Sequence, residues 1–300
     1  RGGRLEQARR YLEDASREAD SSVDGPALSL FVGQIAEKLL DVEAALAAYR
    51  VYLDAYPRNI VVQQRIARLE VHRDIVVTYE SVSEDGMRLF YPPGSLTSGE
   101  AYGMAVTARE TLDDAAELTD TRPRPELAMV IYPSRSELLA TTCVPMWTGG
   151  VYDGVVRMVQ HDNRAHFDKI LRHELFHAQI DHALARRIPA WFNEGLAQYF
   201  ARERPKRDLM LARMLEHRTW IPFSSLNDQF RELEGHADAR LAYRQSALMI
   251  DWVVEVEGED AIARGVEHLI HGGDPREVLS VMLGGETPSG QRFLEYLERR

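Results

Sequence analysis

The sequence predicts an α+β protein in which an all-α segment, residues 1–72, precedes a mixed domain, residues 73–300. Three observations predict this class. Residues 1–72 carry apolar side chains at helical spacing. Residues 74–159 alternate β-rich runs with helical stretches, which is typical of a small mixed sheet packed with helices. Two further helices and a predominantly helical C-terminal lobe are predicted after residue 160.

Within the first segment, residues 26–59 resemble one tetratricopeptide repeat, which has a length of about 34 residues. Gly33 stands at the repeat's glycine position, and Ala45 and Tyr49 stand at its small and aromatic packing positions. Pro57 closes the second predicted helix. We therefore expect helical repeats over residues 1–72.

The residues before this repeat resemble part of another one. Ala8, Leu12 and Ala15 resemble the second helix of a preceding repeat. Since half a repeat cannot bury its apolar face alone, we expect the array to continue upstream. Two interpretations of the repeats stay open. They provide either a docking surface for a protein partner or a packing module that caps the mixed domain.

The first half of the mixed domain is punctuated by turn signals. Two β-rich runs flank Glu84-Asp85-Gly86, which predicts a hairpin. The predicted elements are strands 75–79 and 87–91, a helix over 99–118, a strand over 126–132, a helix over 134–141 and a β-like run over 149–159.

Residues 173–177 read His-Glu-Leu-Phe-His within a stretch of helical periodicity. On a helix, residues i and i+4 project from one face about 5–6 Å apart, which lets two imidazoles share one zinc ion. Glu174 is rotated off that axis and can reach a metal-bound water instead of the metal. The motif therefore predicts a zinc site. The alternative is a core helix whose histidines only form hydrogen bonds.

A catalytic zinc with two histidine ligands needs a third protein ligand and one open position. Residues 188–200 provide a candidate, because Pro189 can start a second helix. Its predicted buried residues are Trp191, Leu196, Tyr199 and Phe200. Glu194 lies in the first turns of this helix, so a short connection can fold back and aim it at the metal.

These two motifs together resemble those of the gluzincin metallopeptidases, in which two histidines and a glutamate hold zinc. More narrowly, the chain resembles the bacterial peptidase MA-like domains. Trp191 to Tyr199 matches their W-[FL]-N-E-G-[LF]-A-x-[YF] pattern, and Tyr243 and Ser246 match a later Y-x-x-S segment. The resemblance runs from about residue 75 to the end, and it implies a thermolysin-like zinc peptidase domain.

The resemblance also implies roles for individual residues. The zinc ligands would be His173, His177 and Glu194, and Glu174 would be the general base that takes a proton from the zinc-bound water. Tyr243 is the best candidate for donating a hydrogen bond to the oxyanion of the intermediate. A core aromatic side chain is the alternative for Tyr243.

Two further positions bear on the site. Many family members carry an acid four residues after the glutamate ligand that orients a zinc histidine, whereas this chain has Gln198. We expect either the Gln198 amide oxygen or Asp181 to accept the imidazole N–H, although a solvated surface acid is the simpler interpretation of Asp181. In gluzincins an edge strand pairs with the substrate backbone, and Gly150 to Val155 is our candidate, with an ordinary strand as the alternative.

Composition excludes some classes of function. The chain has 36 basic and 47 acidic residues and a net charge of −11, which argues against nucleic acid as a partner. No apolar stretch approaches the roughly 18 residues of a membrane span. Cys143 is the single cysteine, so no intrachain disulfide can form. The compartment stays open between cytoplasm, periplasm and a membrane-anchored form.

We therefore predict a zinc-dependent metallopeptidase that hydrolyses peptide or protein substrates through a water activated by Glu174. The alternative is a protein-binding scaffold whose peptidase-like domain has little or no activity, for which Gln198 is the only hint. A purely structural zinc site would need four protein ligands, and only three can be identified from the sequence.

Overall fold

The computed structural model describes residues 24–142, 149–184, 188–203, 216, 220–227, 230 and 236–299. Within these residues the fold is α+β, predominantly helical with a small mixed sheet, as the sequence predicts. The described residues form two compact units. Unit 1 comprises those up to 110 and those from 125 to 171, and unit 2 comprises those from 111 to 124 and from 172 onward. The predicted boundary at residues 72 and 73 stays a prediction.

Unit 1 begins with three helices, α1 (Asp24–Lys38), α2 (Val42–Ala55) and α3 (Ile60–Val76). Asp41 and Asn59 start α2 and α3, because each side chain accepts a hydrogen bond from a backbone N–H of the first turn. The buried core of the three helices consists of Ala36, Ala45, Leu46, Tyr49, Val62 and Leu69.

Gly33 and Tyr49 lie in close contact between α1 and α2. A Cβ atom on Gly33 would lie 2.4 Å from the Tyr49 ring, so α1 and α2 can approach closely only with glycine there. The assignment of these helices to tetratricopeptide repeats stays a prediction. Ala8, Leu12 and Ala15, like Cys143, lie outside the described residues.

The sheet of unit 1 has five strands in the order β1-β2-β3-β5-β4. The strands are β1 (Glu80–Glu84), β2 (Met87–Tyr91), β3 (Leu127–Tyr132), β4 (Gly150–Tyr152) and β5 (Val156–Val159). Parallel pairs join β2 to β3 and β3 to β5, and the two hairpins are antiparallel. The central strand β3 is buried along its whole length, as its apolar sequence predicts.

The first strand is displaced from its predicted place. Residues 75–79 were expected to form it, but Ile75 and Val76 end α3 and the strand occupies 80–84. The reason is the turn: Asp85 and Gly86 both have positive φ, at 40° and 79°. Such a two-residue turn pairs the residues directly flanking it, Glu84 with Met87, and so excludes the more distant apolar run.

The other predicted elements of this region are present. The helices are α4 (Ser98–Leu118) and α5 (Arg135–Thr141), and the β-like run over 149–159 forms the hairpin of β4 and β5. The candidate substrate-pairing segment, Gly150 to Val155, contains β4, which is an edge strand of the sheet. Its pairing with a substrate stays a prediction.

The remaining helices are α6 (Arg164–Ala183), α7 (Ala190–Phe200), α8 (His236–Glu257), α9 (Asp260–Ile270), α10 (Val278–Met282) and α11 (Gly290–Arg299). A large apolar core in unit 2 includes Phe176, Phe192, Leu196, Trp252 and Phe293. Among the helices described, none is both long and apolar enough to cross a bilayer.

Candidate metal centre

The motif at residues 173–177 lies in the middle of α6, as its periodicity predicts. His173 and His177 are one turn apart, with ring centroids 4.8 Å from each other and an interplanar angle of 76°. Leu175 and Phe176, two of the three residues between them, are fully buried. The helix therefore anchors its apolar face in the core and presents both imidazoles together.

Glu194 comes to the same point from α7. Pro189 precedes this helix with extended ψ, so α7 begins at Ala190 and places Glu194 in its second turn. One carboxylate oxygen of Glu194 lies 3.5 Å from Nε2 of His173 and 3.5 Å from Nε2 of His177. The structure thus brings together the three residues that the sequence predicts as ligands.

The position of α7 depends on a close approach to α8. A Cβ atom on Gly195 would lie 2.6 Å from the carbonyl oxygen of Ser246, so only glycine fits at this crossing. The Gln198 side-chain amide donates to the backbone carbonyls of Glu194 and Tyr243, at 3.1 and 3.0 Å. The N-E-G motif and the Y-x-x-S segment therefore face each other, and their contact holds Glu194 in place.

The three side chains fit a tetrahedral divalent metal. Ligand atoms at about 2.1 Å from a tetrahedral ion lie roughly 3.4 Å from each other, and the two distances to Glu194 are 3.5 Å. All three ligand atoms lie within 4.8 Å of one another. Among the described residues this is the one group of three or more His, Cys, Asp or Glu side chains with that property. Three ligands and an open position are typical of a catalytic zinc.

Each histidine also has a partner for its outer nitrogen. Nδ1 of His177 lies 3.1 Å from the side-chain oxygen of Asn193, and Nδ1 of His173 lies 3.7 Å from a carboxylate oxygen of Glu203. An acceptor at Nδ1 holds the proton there and leaves Nε2 available for a metal. Sequence reasoning missed both residues. Asn193 was recognisable as the neighbour of Glu194, whereas Glu203 has no local signal.

The charges of the cluster are mutually stabilising. Burial opposes ionisation of Glu194, but the neighbouring imidazoles of His177 and His173 lower the pKa of this carboxyl far below its ordinary value. Burial likewise opposes protonation of His173, yet its interactions with Glu194 and Glu203 raise the imidazole pKa well above 6.5. Burial also opposes protonation of His177, but the negative charge of Glu194 outweighs it and raises the pKa of this imidazole. A bound cation would replace these protons.

The two remaining predicted site residues are placed as follows. Glu174 is 8% exposed and lies on the motif's turn of α6. Tyr243 is partly buried on α8, where its ring packs edge-on against Phe230 with centroids 5.2 Å apart. Their roles as general base and oxyanion donor stay predictions.

The expectation that Gln198 or Asp181 accepts an imidazole N–H is wrong. The Gln198 amide donates to two backbone carbonyls, as described above, and the outer nitrogen of each histidine faces Asn193 or Glu203. Asp181 lies 3.8 Å from the guanidinium of Arg124 and is half exposed. Although it lies four residues after His177 on the same helix face, its carboxylate faces Arg124 and solvent, so the simpler surface interpretation holds.

The fold and this cluster define an α+β domain with a His₂Glu centre. A sequence model of the Peptidase MA superfamily matches residues 107–289, which is more than half of the chain. The chain therefore belongs to the Peptidase MA superfamily. This confirms the peptidase MA-like domain predicted from the paired motifs and favours a peptidase over a binding scaffold. Comparison with curated proteins finds no match.

Proposed function

We propose that this chain is a zinc-dependent metallopeptidase of the gluzincin type that hydrolyses peptide bonds. The observation that carries the proposal is the position of Glu194, equally distant from the inner nitrogens of His173 and His177. These three side chains would hold the metal, and superfamily membership supports peptide bonds as the target. Peptides or proteins are therefore the proposed substrates.

When bound, zinc supplies a Lewis acid for the scissile carbonyl and lowers the pKa of water. Glu174 receives the proton of the attacking water and delivers it to the departing amine. Its burial suits this task, because a carboxylate with little access to bulk water exchanges its proton with the reactants rather than with solvent. The Tyr243 hydroxyl donates to the oxyanion that develops on the substrate.

The decisive experiment compares the wild-type protein with Glu174→Gln on a peptide library, with zinc content measured in parallel. We expect the wild type to cleave and Glu174→Gln to lose about 10²–10⁴-fold in kcat, since general-base catalysis contributes that much. Both proteins should carry one zinc ion per chain, because Glu174 is not a ligand.

Glu257→Gln provides the matched control. Glu257 is a partly buried carboxylate of unit 2, and it pairs with Arg264 rather than with the histidines. This variant should retain wild-type activity. If the wild type and Glu174→Gln bind zinc and are equally inert on every peptide, the proposed activity is wrong.

A further inference from the structure

A carboxylate at its outer nitrogen can orient the His173 imidazole towards a metal. In related domains an acid four residues after the glutamate ligand would do so, and here Gln198 occupies that position. Its amide donates to the carbonyls of Glu194 and Tyr243, so it joins α7 to α8. A carboxylate at 198 would have no proton to donate to these two carbonyls, so the glutamine has a structural role of its own.

The turn that ends α7 places the carboxylate of Glu203 near His173. The backbone N–H of Glu203 donates to Gln198 O at 2.8 Å, and the N–H of Arg202 donates to Tyr199 O at 3.0 Å. This pair of bonds is the Schellman arrangement, in which the intervening residue adopts a left-handed conformation. Arg202 has the required φ of 56°. The turn ends the helix and fixes the backbone of Glu203 beside the last turn of α7.

A contact from the motif helix fixes the same end of α7. Arg172, which precedes His173, lies with its guanidinium carbon 4.4 Å from the centroid of the Phe200 ring. Its Nε donates to the Phe200 carbonyl at 3.4 Å. Because the last residue of α7 is tied to the neighbour of His173, the turn that follows lies next to the histidine. Glu203 then extends to within 3.7 Å of Nδ1.

We propose that Glu203 is a positioning residue for the metal centre. Its carboxylate, 3.7 Å from Nδ1 of His173, attracts the proton on that nitrogen electrostatically and so holds the ring with Nε2 towards Glu194. Asn193 does the same for His177 with a neutral amide, so the site has one charged and one neutral outer partner. The proposal rests on the proposed function only in requiring that His173, His177 and Glu194 bind zinc.

The test is zinc affinity, measured by competition with a chromophoric chelator at constant pH. Partners of this kind are typically worth about 10–100-fold in metal affinity. We therefore expect Glu203→Gln to weaken zinc binding by that factor. Glu203→Asp keeps the charge on a shorter side chain, so its affinity should fall between those of Glu203→Gln and the wild type.

Two controls separate positioning from a general structural role. Glu257→Gln removes a carboxylate of similar exposure, 29% against 33%, that is also ion-paired, and it should bind zinc like the wild type. Thermal unfolding of the metal-free proteins should shift no more for Glu203→Gln than for Glu257→Gln. A purely structural Glu203 would lower the stability of the metal-free protein and would not be rescued by aspartate.

Wild-type zinc affinity in Glu203→Gln overturns the proposal, provided that His177→Ala has lost zinc. If His177→Ala also binds like the wild type, the metal centre itself is refuted, so the two failures can be told apart. Should Glu203→Gln not fold, Glu203→Ala, which also lacks the carboxylate, carries the test, and wild-type zinc affinity in that variant overturns the proposal.

Discussion

Each unit of the molecule contains a cluster of side chains built around histidine, and the two clusters have opposite electrostatics. In unit 2, His173 and His177 surround the Glu194 carboxylate, and the pKa values of both imidazoles are raised. In unit 1, Nδ1 of His72 faces both the Tyr132 hydroxyl and the Arg157 guanidinium. Burial, together with the charge of Arg157, lowers the pKa of His72 to about 3.

The difference teaches that burial alone does not decide the charge of a histidine. Burial disfavours the imidazolium in both clusters, and the neighbouring charge determines the outcome. The Tyr132 hydroxyl lies 3.0 Å from Nδ1 of His72 and 2.9 Å from the guanidinium of Arg157. Asp153 pairs with the other side of that guanidinium at 3.1 Å. A cluster centred on a carboxylate can hold a cation, whereas one centred on a guanidinium stays neutral at its histidine.

The strongest way to break this comparison is to remove one imidazole from each cluster and measure zinc binding. His177→Ala should lose more than the ~10–100-fold in affinity that an outer partner is worth, because it removes a ligand. His72→Gln should bind zinc like the wild type. Equal zinc loss in both variants, measured by chelator competition, would show that the clusters do not differ in this way.

The second effect is the pH dependence of stability in unit 1. The folded-state pKa of His72, about 3, lies below the ordinary 6.5. Its neutral form therefore contributes stability above pH ~6.5, and this contribution is lost as the pH falls from there towards 3. The total is on the order of a few kcal/mol.

His72→Gln isolates this contribution, since glutamine is polar and does not titrate. Chemical denaturation of the metal-free proteins between pH 7 and pH 4 should show a steeper loss of unfolding free energy in the wild type than in the variant. Parallel curves would mean that His72 is protonated normally in the folded state.

The smallest expected effect concerns the helix crossing that carries Glu194. Gly195→Ala should cost about 1–3 kcal/mol of stability, as overpacking does, because the added Cβ meets the carbonyl of Ser246. Gly103→Ala is the matched control. A Cβ there meets nothing within 4 Å, so the exchange should stabilise α4 by about 0.5–1 kcal/mol. Thermal unfolding measures both, and a neutral Gly195→Ala would show that α7 and α8 can separate without cost.

Most of the fold was predictable, and the exceptions have local causes. The helices and the central strand follow from apolar periodicity, which depends only on residues close in the chain. The first strand was misplaced because residues 75–79 are more apolar than 80–84, while the turn at Asp85 and Gly86 determines the register. Turn conformation outweighs hydrophobicity where the two disagree.

The candidate site likewise has a part that the sequence predicts and a part that it does not. The sequence by itself predicted that His173 and His177 project together, because helix geometry places residues four apart on one face. Glu194 followed from its motif, and the structure brings it to the two histidines. Only the tertiary structure decided which side chains lie beside the outer nitrogens of the two histidines. Glu203 reaches His173 through the turn after α7. In unit 1, likewise, Arg157 reaches His72 from a strand far along the chain. Such partners depend on which segments pack together, and no local spacing encodes that.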